Sequence, residues 1–271
     1  MQAMIFAAGL GTRLKPLTDT MPKALVRVGG APLLEHVIRR LIGAGCSRMV
    51  VNVHHFANQI TDYLDAHNYG VDIYVSDETE QLLDTGGGIK RAASLFDQHQ
   101  PVLIHNVDIL SNVDLDAFYR HALETKADAL LLVSRRVTQR YLVFDSNMRL
   151  VGWTNVATGE VKSPHAEIRQ LHFVSPTEED SSYYQNNYYL CAFSGIHVLA
   201  PSAVQTVEAV DKDKFPIMDF YLNNCDTLDI RGELKTDLHL LDVGKLDSLQ
   251  AAEDFIANSE YRSSKTETDI L

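Results

Sequence analysis

Cysteine is scarce in this chain of 271 residues. The three cysteines are odd in number and lie far apart, at positions 46, 191 and 225, and no Cys-x-x-Cys pair occurs. The sequence therefore indicates neither a zinc site nor a disulfide framework. Widely spaced free cysteines are typical of a reducing compartment, so we expect a cytoplasmic protein.

Long apolar runs are also missing. No uninterrupted apolar segment approaches the ~18 residues that a membrane-spanning helix needs. The N-terminus has the pattern of a strand rather than of a charged segment followed by an apolar signal core. The sequence thus predicts a protein that neither spans a membrane nor carries a secretion signal.

Basic residues are fewer than acidic residues in this chain. The 24 Lys and Arg stand against 36 Asp and Glu, which gives a formal net charge of −12. This balance disfavours non-specific nucleic-acid binding, which needs a basic footprint. An anionic substrate is still possible where cations are concentrated locally and a divalent metal helps. The length allows one large α/β domain or two small ones.

The first 25 residues contain a strand, a glycine loop and two cations. The apolar run 4–8 ends directly at Gly9 and Gly11. Without a Cβ these glycines allow close approach to a ligand and positive φ, and successive N–H groups in such a loop bind anions. Arg13 can contact phosphate with two N–H groups, and Lys23 adds a mobile point charge. The pattern predicts a triphosphate site. Its candidate residues are Ala8, Gly9, Gly11, Thr12, Arg13 and Lys23.

Two better-known phosphate loops do not fit this pattern. The P-loop needs Lys followed by Ser or Thr at a spacing that is absent here. The dinucleotide fingerprint needs a third glycine where this chain has Leu14, and Pro16 interrupts the helix that would follow. An ordinary strand-to-helix turn is the alternative, but it has no use for Arg13 and Lys23 together.

The first 136 residues alternate apolar or β-rich segments with helical periodicities. We therefore predict an α/β fold with a doubly wound, mostly parallel sheet. Strands are expected at 3–8, 49–53, 71–75, 102–107 and 129–134, and helices at 33–44, 57–67, 88–96 and 114–126. Ligands in such sheets bind at the carboxyl ends of the strands.

After residue 136 the pattern favours antiparallel additions on the substrate side of the same sheet. We expect a hairpin over 141–154, a strand over 188–198 that Gly195 interrupts, and strands at 228–232 and 239–243. Helices are expected at 202–210, 217–224 and 246–258. The prediction is a single domain over 1–258, with a nucleotide-binding half (1–136) and a substrate-binding half (137–258), and a frayed tail at 259–271.

Two aspartates far apart in sequence follow apolar runs. Asp108 comes just after the strand that ends near Asn106, and Asp242 precedes Gly244 and a helix. A carboxylate at a strand end facing a phosphate loop suits Mg²⁺, which takes a few carboxylates together with phosphate oxygens and waters. The alternative is that Asp108 begins a turn and Asp242 caps a helix.

A second glycine-rich segment runs from Asp84 through Thr85 to Gly86, Gly87 and Gly88. Its lack of side chains allows close approach to a flat base or a ribose. A helix entry capped by Asp84 or Thr85 is the alternative, and both can hold at once.

A sugar pocket has weaker sequence support. Four tyrosines flank Asn186 and Asn187, and aromatic rings pack on pyranose faces while amides bond to hydroxyls. Strand propensity explains the same tyrosines. The candidate sugar-binding residues are Asp145, Asn187 and Gly195.

Together these motifs resemble the signature of the sugar-1-phosphate nucleotidyltransferases, Gly-x-Gly-Thr-Arg-x-x-Pro-x-Thr followed by Pro-Lys and a late Asp-Val-Gly. The resemblance covers residues 2 to about 250 and leans toward the N-acetylmuramate-1-phosphate uridylyltransferases and mannose-1-phosphate guanylyltransferase-like proteins. It implies a Rossmann-like fold, Mg²⁺ held by Asp108 and Asp242, and a base-contacting loop. The further nucleotide-binding residues that it implies are Thr85, Gly86, Gly87 and Asn106.

The resemblance also implies a reaction, the transfer of a nucleotidyl group to a sugar-1-phosphate with release of pyrophosphate. Arg13 would hold the leaving pyrophosphate, and Lys23 would stabilise the α-phosphoryl oxygens or the incoming phosphate. UTP and N-acetylmuramate-1-phosphate are the favoured substrates, and neither a nucleic acid nor a membrane is an expected partner. The alternatives are a mannose-1-phosphate guanylyltransferase, an enzyme acting on phosphocholine, and a non-catalytic nucleotide-sugar sensor, which would not need both carboxylates.

Overall fold

The computed structural model describes residues 1–176 and 183–258. The segment 259–271, for which the sequence predicts a frayed tail, lies outside the described residues. Within them, no helix is long and apolar enough to cross a lipid bilayer.

The first half alternates strands with helices, as its apolar periodicity predicts. Its strands are β1 (Gln2–Phe6), β2 (Arg27–Val28), β3 (Ala31–Pro32), β4 (Arg48–Val53), β5 (Asp72–Asp77), β6 (Val102–Asn106), β7 (Ile109–Ser111) and β8 (Ala129–Ser134). Its helices are α1 (Leu33–Gly43), α2 (Ala57–Asp65), α3 (Asp84–Ala92) and α4 (Leu115–Thr125). Short 3-10 turns lie at Thr12–Leu14, Leu17–Asp19, Lys23–Leu25 and Ala93–Leu95.

The second half consists mainly of antiparallel strands and shorter helices. Its strands are β9 (Arg140–Phe144), β10 (Leu150–Asn155), β11 (Glu160–Lys162), β12 (Tyr184–Gln185), β13 (Tyr188–Leu199), β14 (Ile230–Leu234) and β15 (Leu240–Asp242). Its helices are α5 (Ala166–Arg169), α6 (Pro201–Glu208), α7 (Ile217–Asn224) and α8 (Ser248–Ala257). The predicted hairpin is confirmed as β9–β10, and the long strand as β13.

The central part of the sheet is parallel, in the order β6-β1-β4-β5. On β1, Met4 pairs with Val50 on one side and with Ile104 on the other. Alternate residues of β1 face opposite sides, because side chains alternate along a strand. Ile5 packs in a core with α1, α2 and α4, whereas Met4 packs in a core with α3, α6 and α7. Helices therefore cover both faces, which confirms the predicted doubly wound α/β class.

Strand β13 joins the parallel sheet to the second half. It runs antiparallel to β6, β8 and β9. Its register with β8 shifts between Phe193 and His197, and Gly195 in between has a φ of 77°. A side chain is strained at this φ, so glycine is what permits the bulge. The interruption that the sequence predicts at Gly195 is confirmed as this bulge in a continuous strand.

The prediction that a helix begins at Gly88 is wrong, because α3 begins at Asp84 and contains the glycines. Glycine has no apolar side chain, so the periodic pattern does not extend over these residues. Glycine also disfavours a helix by about 1 kcal/mol relative to alanine, and tertiary hydrogen bonds compensate for this cost. The N–H groups of Gly86 and Gly87 donate to the carbonyl oxygen of Phe215, at 2.8 and 3.1 Å, and satisfy donors that the first turn of a helix leaves unpaired.

Candidate functional site

A cavity of about 220 Å³ opens where β1, β4, β5 and β6 end. This is the carboxyl edge of the parallel strands, where ligands bind in doubly wound sheets. The lining residues come from these strand ends and from the segment that leads into α3. They are Phe6, Ala7, Ala8, Gly9, Lys23, Asn52, Glu78, Leu82, Asp84, Thr85, Asn106, Val107 and Asp108.

The glycine loop borders this cavity, and its two glycines have different roles. A Cβ on Gly9 would meet nothing within 4 Å, so Gly9 leaves open space at the cavity. Gly11 has a φ of 63°, and a Cβ there would lie 2.8 Å from Cγ2 of Thr18. Its carbonyl oxygen accepts a hydrogen bond from the Thr18 hydroxyl at 2.8 Å. Gly11 therefore shapes the loop, while Thr12 and Arg13 follow in a 3-10 turn outside the cavity lining.

A hydrogen-bonded chain of buried side chains fixes the start of this loop. Oδ1 of Asn52, on β4, accepts from the backbone N–H groups of Ala7 and Ala8 at 2.7 and 3.3 Å. Nδ2 of Asn52 donates to Oε1 of Glu78 at 2.7 Å. Oε2 of Glu78 accepts from the N–H of Leu83 at 3.0 Å, just before α3. The chain ties the glycine loop to the segment that carries Thr85.

Asn52 and Glu78 were not among the residues that the sequence analysis selected. The available signal was a polar residue at the end of a buried strand, the same signal that selected Asp108. Both side chains are buried. Burial raises the pKa of the Glu78 carboxyl, although its bonds to Leu83 and Asn52 oppose that shift. Because both of its oxygens accept N–H bonds from the protein, Glu78 positions its neighbours in the cavity wall.

The two candidate metal ligands lie at the ends of two paired strands. Asp108 precedes β7 and Asp242 ends β15, and these strands pair antiparallel with Asp242 opposite Ile109. The N–H of Val243 donates to the carbonyl oxygen of Asp108 at 2.8 Å. Residues that the sequence separates widely are thus brought together beside Asp108, which lines the cavity.

Each of these aspartates has a basic partner. Lys23, which is largely buried, forms an ion pair with Asp108. Nη2 of Arg13 lies 3.9 Å from Oδ2 of Asp242. A Cβ on Gly244 would lie 2.5 Å from Arg13 Nη2 and from Asp242 Oδ1, so glycine at this position makes room for that pair. The structure therefore groups all four charged residues that the sequence analysis selected.

The donor set fits a cation that completes its coordination with substrate oxygens. Within residues 1–176 and 183–258, no group of three or more His, Cys, Asp or Glu side chains forms a metal-binding cluster. Mg²⁺ is usually bound by one or two carboxylates plus substrate phosphates and waters, which Asp108 and Asp242 match.

The second glycine segment is used for packing as well as for the cavity. Thr85 lines the cavity, and its Oγ1 accepts from the N–H of Ile217 at 2.9 Å. A Cβ on Gly86 would lie 2.9 Å from the carbonyl oxygen of Phe215, and one on Gly87 would lie 3.0 Å from Cβ of Leu83. The structure thus places Thr85 at the cavity and packs Gly86 and Gly87 against the segment before α7. Neither of these two glycines lines the strand-end cavity, so the base contact predicted for them stays a prediction.

Among the candidate sugar residues, Gly195 is the one next to the cavity. A Cβ there would lie 2.6 Å from Nδ2 of Asn106, which lines the cavity. Asp145 instead closes its own hairpin turn, because its Oδ1 accepts from the N–H groups of Asn147 and Arg149 at 2.8 and 2.9 Å. Asn187 has a φ of 68° in the turn between β12 and β13. Asp and Asn favour such turns, and the structure brings neither residue to the cavity.

Comparison with known proteins identifies the family to which the chain is similar. Residues 2–144 match the model of a family described as nucleotidyl transferase. The N-acetylmuramate alpha-1-phosphate uridylyltransferase of Caulobacter vibrioides is 47% identical over 109 residues, which cover 39% of this chain and 45% of that protein. The mannose-1-phosphate guanyltransferase of Schizosaccharomyces pombe is 28% identical over 229 residues, which cover 80% of this chain and 56% of that protein. The matched regions thus span about half the length of these two relatives.

Among solved structures, the crystal structure of HddC from Yersinia pseudotuberculosis has a TM-score of 0.70 at 21% identity. The superposition covers 94% of this chain and 99% of HddC, and it supports the fold. The family model matches more than half of the chain, over the strands and the glycine loop that form the cavity. The chain belongs to the nucleotidyl transferase family.

Proposed function

We propose that the protein transfers a nucleotidyl group from a nucleoside triphosphate to a sugar-1-phosphate and releases pyrophosphate. The observation that carries the proposal is a group of four charged residues beside the strand-end cavity. Lys23 pairs with Asp108 in the cavity lining, and Arg13 pairs with Asp242 on the strand next to Asp108. Family membership and the names of the relatives support the same reaction.

In the proposed reaction a phosphate oxygen of the acceptor attacks the α-phosphorus of the nucleotide. A new P–O bond forms there while the bond to the bridging oxygen of the pyrophosphate breaks, and pyrophosphate leaves with that electron pair. A phosphate monoester is nucleophilic near neutral pH, so no strong base is required. The protein has to align two anions that repel each other and to stabilise charge on the leaving group.

The charged residues have distinct places in this scheme. Lys23 lies in the cavity wall and would contact the α-phosphoryl oxygens, while Arg13 at the rim would hold the leaving pyrophosphate. Asp108 and Asp242 would hold Mg²⁺, which neutralises phosphate charge when it is bound. The loop at Gly9 leaves the space that a triphosphate needs.

The favoured substrates are UTP and N-acetylmuramate-1-phosphate. The relative that is 47% identical, and carries that name, supports this choice. GTP with mannose-1-phosphate is the second candidate, because the relative with that activity in its name matches 80% of the chain.

The decisive experiment is a pyrophosphate-release screen in the presence of MgCl₂. UTP, GTP, CTP and ATP are each paired with N-acetylmuramate-1-phosphate, mannose-1-phosphate, glucose-1-phosphate and phosphocholine. We expect the highest kcat/KM for UTP with N-acetylmuramate-1-phosphate. A preference for GTP with mannose-1-phosphate would reject the uridylyl assignment, and no release with any pair would reject the transferase.

Asp108→Asn and Asp242→Asn test the metal ligands in the same assay. Each should remove most of the activity and retain the fold. Asp116→Asn is the matched control, because Asp116 is exposed on α4 and pairs only with Arg120 among the described residues. Normal turnover of either site variant at limiting Mg²⁺ would contradict a metal site shared by the two aspartates.

A further inference from the structure

A second cavity, of about 210 Å³, lies between the β8–β9 loop, β9, β10, β13 and α7. Its residues come from four separate segments of the sequence. Its lining residues are Arg136, Thr138, Arg140, Leu142, Trp153, Phe193 and Met218.

Two short connections link the wall of this second cavity to the wall of the strand-end cavity. Met218 follows Ile217, whose N–H donates to Thr85 in the wall of the first cavity. Phe193 lies two residues before Gly195, which is in contact with Asn106 in that same wall. The walls of the two cavities are therefore linked through β13 and through the start of α7.

The second cavity is positively charged in an acidic chain. Arg136 and Arg140 both line it, and within the described ranges none of its lining residues is acidic. Arg136 has one described bond, in which Nη2 donates to the carbonyl oxygen of Phe193 at 3.3 Å. Nζ of Lys162 lies 5.2 Å from the centroid of the Trp153 ring, but it also lies 3.5 Å from Oε1 of Glu160, so the two arginines carry the positive charge of the cavity. The net charge of the chain is −12, so this concentration of cations is a local feature.

The rest of the lining is apolar and partly aromatic. Trp153 and Phe193 are partly buried and pack against the core on the α3, α6 and α7 face, together with Met218. A flat apolar wall beside two guanidinium groups suits a ring that carries a negatively charged substituent. Arginine binds a carboxylate through two parallel N–H···O hydrogen bonds, so it selects the planar geometry of this group in addition to its charge.

We propose that this cavity receives the sugar of the acceptor, and that Arg136 and Arg140 select a sugar-1-phosphate that carries a carboxylate as a second anionic group. The inference rests on the proposed function and names its acceptor class. N-acetylmuramate has such a carboxylate, on a lactyl ether that N-acetylglucosamine lacks. The two acceptors are otherwise the same sugar, so they form a matched pair.

The test compares kcat and KM for N-acetylmuramate-1-phosphate and N-acetylglucosamine-1-phosphate with UTP. The wild-type protein should prefer the carboxylated acceptor by at least about tenfold in kcat/KM. Arg140→Gln and Arg136→Gln should raise KM for the carboxylated acceptor by about tenfold more than for the neutral one. The effect should fall on KM, because the carboxylate is bound alike in the ground state and the transition state.

Arg120→Gln is the control, since Arg120 lies on α4 and its Nη2 contacts Asp116 at 3.1 Å. It should behave as the wild-type protein with both acceptors. Equal losses for the two acceptors in the Arg136 and Arg140 variants would overturn the selection of a carboxylate while transfer itself stands. A third acceptor, glucose-1,6-bisphosphate, carries a second phosphate in place of a carboxylate. If the protein preferred it to the carboxylated acceptor, the inference would also be overturned. Pyrophosphate release with no acceptor at all would instead overturn the proposed function.

Discussion

Arg13 and Asp242 form the outer ion pair of the candidate site. Their side chains are 55% and 51% exposed, and the nearest atoms are 3.9 Å apart. An exposed pair of this kind contributes little to stability because solvent screens it. The room that Gly244 leaves for the pair therefore contributes little to the stability of the fold.

At this scale we predict the effect of Arg13→Ala. The variant should lower kcat for pyrophosphate release by roughly 10²-fold or more, as the removal of one donor to developing charge does. Arg13→Lys should recover little of it, because an ammonium cannot reproduce the two-pronged guanidinium contact. Steady-state kinetics at saturating nucleotide measure both variants, with Arg120→Ala as the control. Wild-type kcat in Arg13→Lys would show that Arg13 does not bind the pyrophosphate through a two-pronged guanidinium contact.

Residue type and spacing explain which site residues could be predicted. Lys23 and Asp108 belong to motifs whose neighbouring residues already indicate a phosphate site, and the structure pairs the two side chains. Asn52 stands alone at the end of an apolar strand, so its partners Ala7 and Glu78 become visible only when the strands are aligned. At Gly86 the need for a small residue is visible in the sequence, but the partner that imposes it, Phe215, is distant in the chain.

Among the elements, β4 links the glycine loop to the segment before α3. Its last residues include Asn52, which bonds to Ala7 after β1 and to Glu78 after β5. Three neighbouring parallel strands are thus connected at their carboxyl ends by side chains. A buried chain of this kind is stable only when every member is satisfied.

We therefore expect Asn52→Ala to lower the free energy of unfolding by about 1–3 kcal/mol, since it leaves the Ala7 N–H and a Glu78 oxygen without partners. Urea denaturation measures this change. The control is Asn68→Ala, because Asn68 is exposed and its Oδ1 accepts only from the N–H of Gly70 among the described residues, at 3.0 Å. Equal stability of the two variants would contradict a structural role for the chain.

The beginning of α3 shows where element prediction fails. Periodicity identifies the apolar residues of a helix, and Ile89 and Ala92 are indeed buried. The turn before them contains glycines, which carry no apolar signal. Its hydrogen bonds go to Phe215, and no local pattern reports such a partner.

On the scale of the whole molecule, two histidines are buried in the sheet. His105 lies on β6 and His197 on β13, and both are about 1% exposed. In the part of the chain that the structure describes, Nε2 of His105 and both ring nitrogens of His197 have no hydrogen-bond partner. Burial lowers the pKa of His105 to about 4 and that of His197 to about 3.

This arrangement predicts acid sensitivity. The unfolded chain takes up a proton at each histidine below a pH of about 6.5, whereas the folded chain does so only near the lowered pKa values. The free energy of unfolding should therefore fall as the pH decreases, by up to about 1.4 kcal/mol per pH unit for each histidine. His197→Leu should remove one such contribution between about pH 6 and about pH 4.

Denaturation at several pH values tests the slope. His99→Leu is the matched control, because His99 is exposed in the loop before β6 and should leave the slope as in the wild-type protein. An unchanged slope in His197→Leu would mean that His197 takes up its proton in the folded state as readily as in the unfolded state.

The parallel core of the fold could be predicted, because each strand and its following helix are encoded by local periodicity. The way in which β13 enters the sheet could not. Its pairs with β6 and β8 join residues that are distant in sequence, and the bulge at Gly195 changes the register between them. Pairings of this kind depend on the packing of the whole sheet.

Strand β13 has a consequence for motion. One strand, Tyr188–Leu199, borders the strand-end cavity near Gly195 and the second cavity at Phe193. The two cavities therefore share a wall, and a hinge that separated them would have to break the pairs of β13 with β6 and β8. If the cavities receive the nucleotide and the sugar as proposed, closing around them would involve the surrounding loops, which move on shorter timescales than whole domains. The spacing of the two cavities along β13 would then set the distance between the two bound substrates.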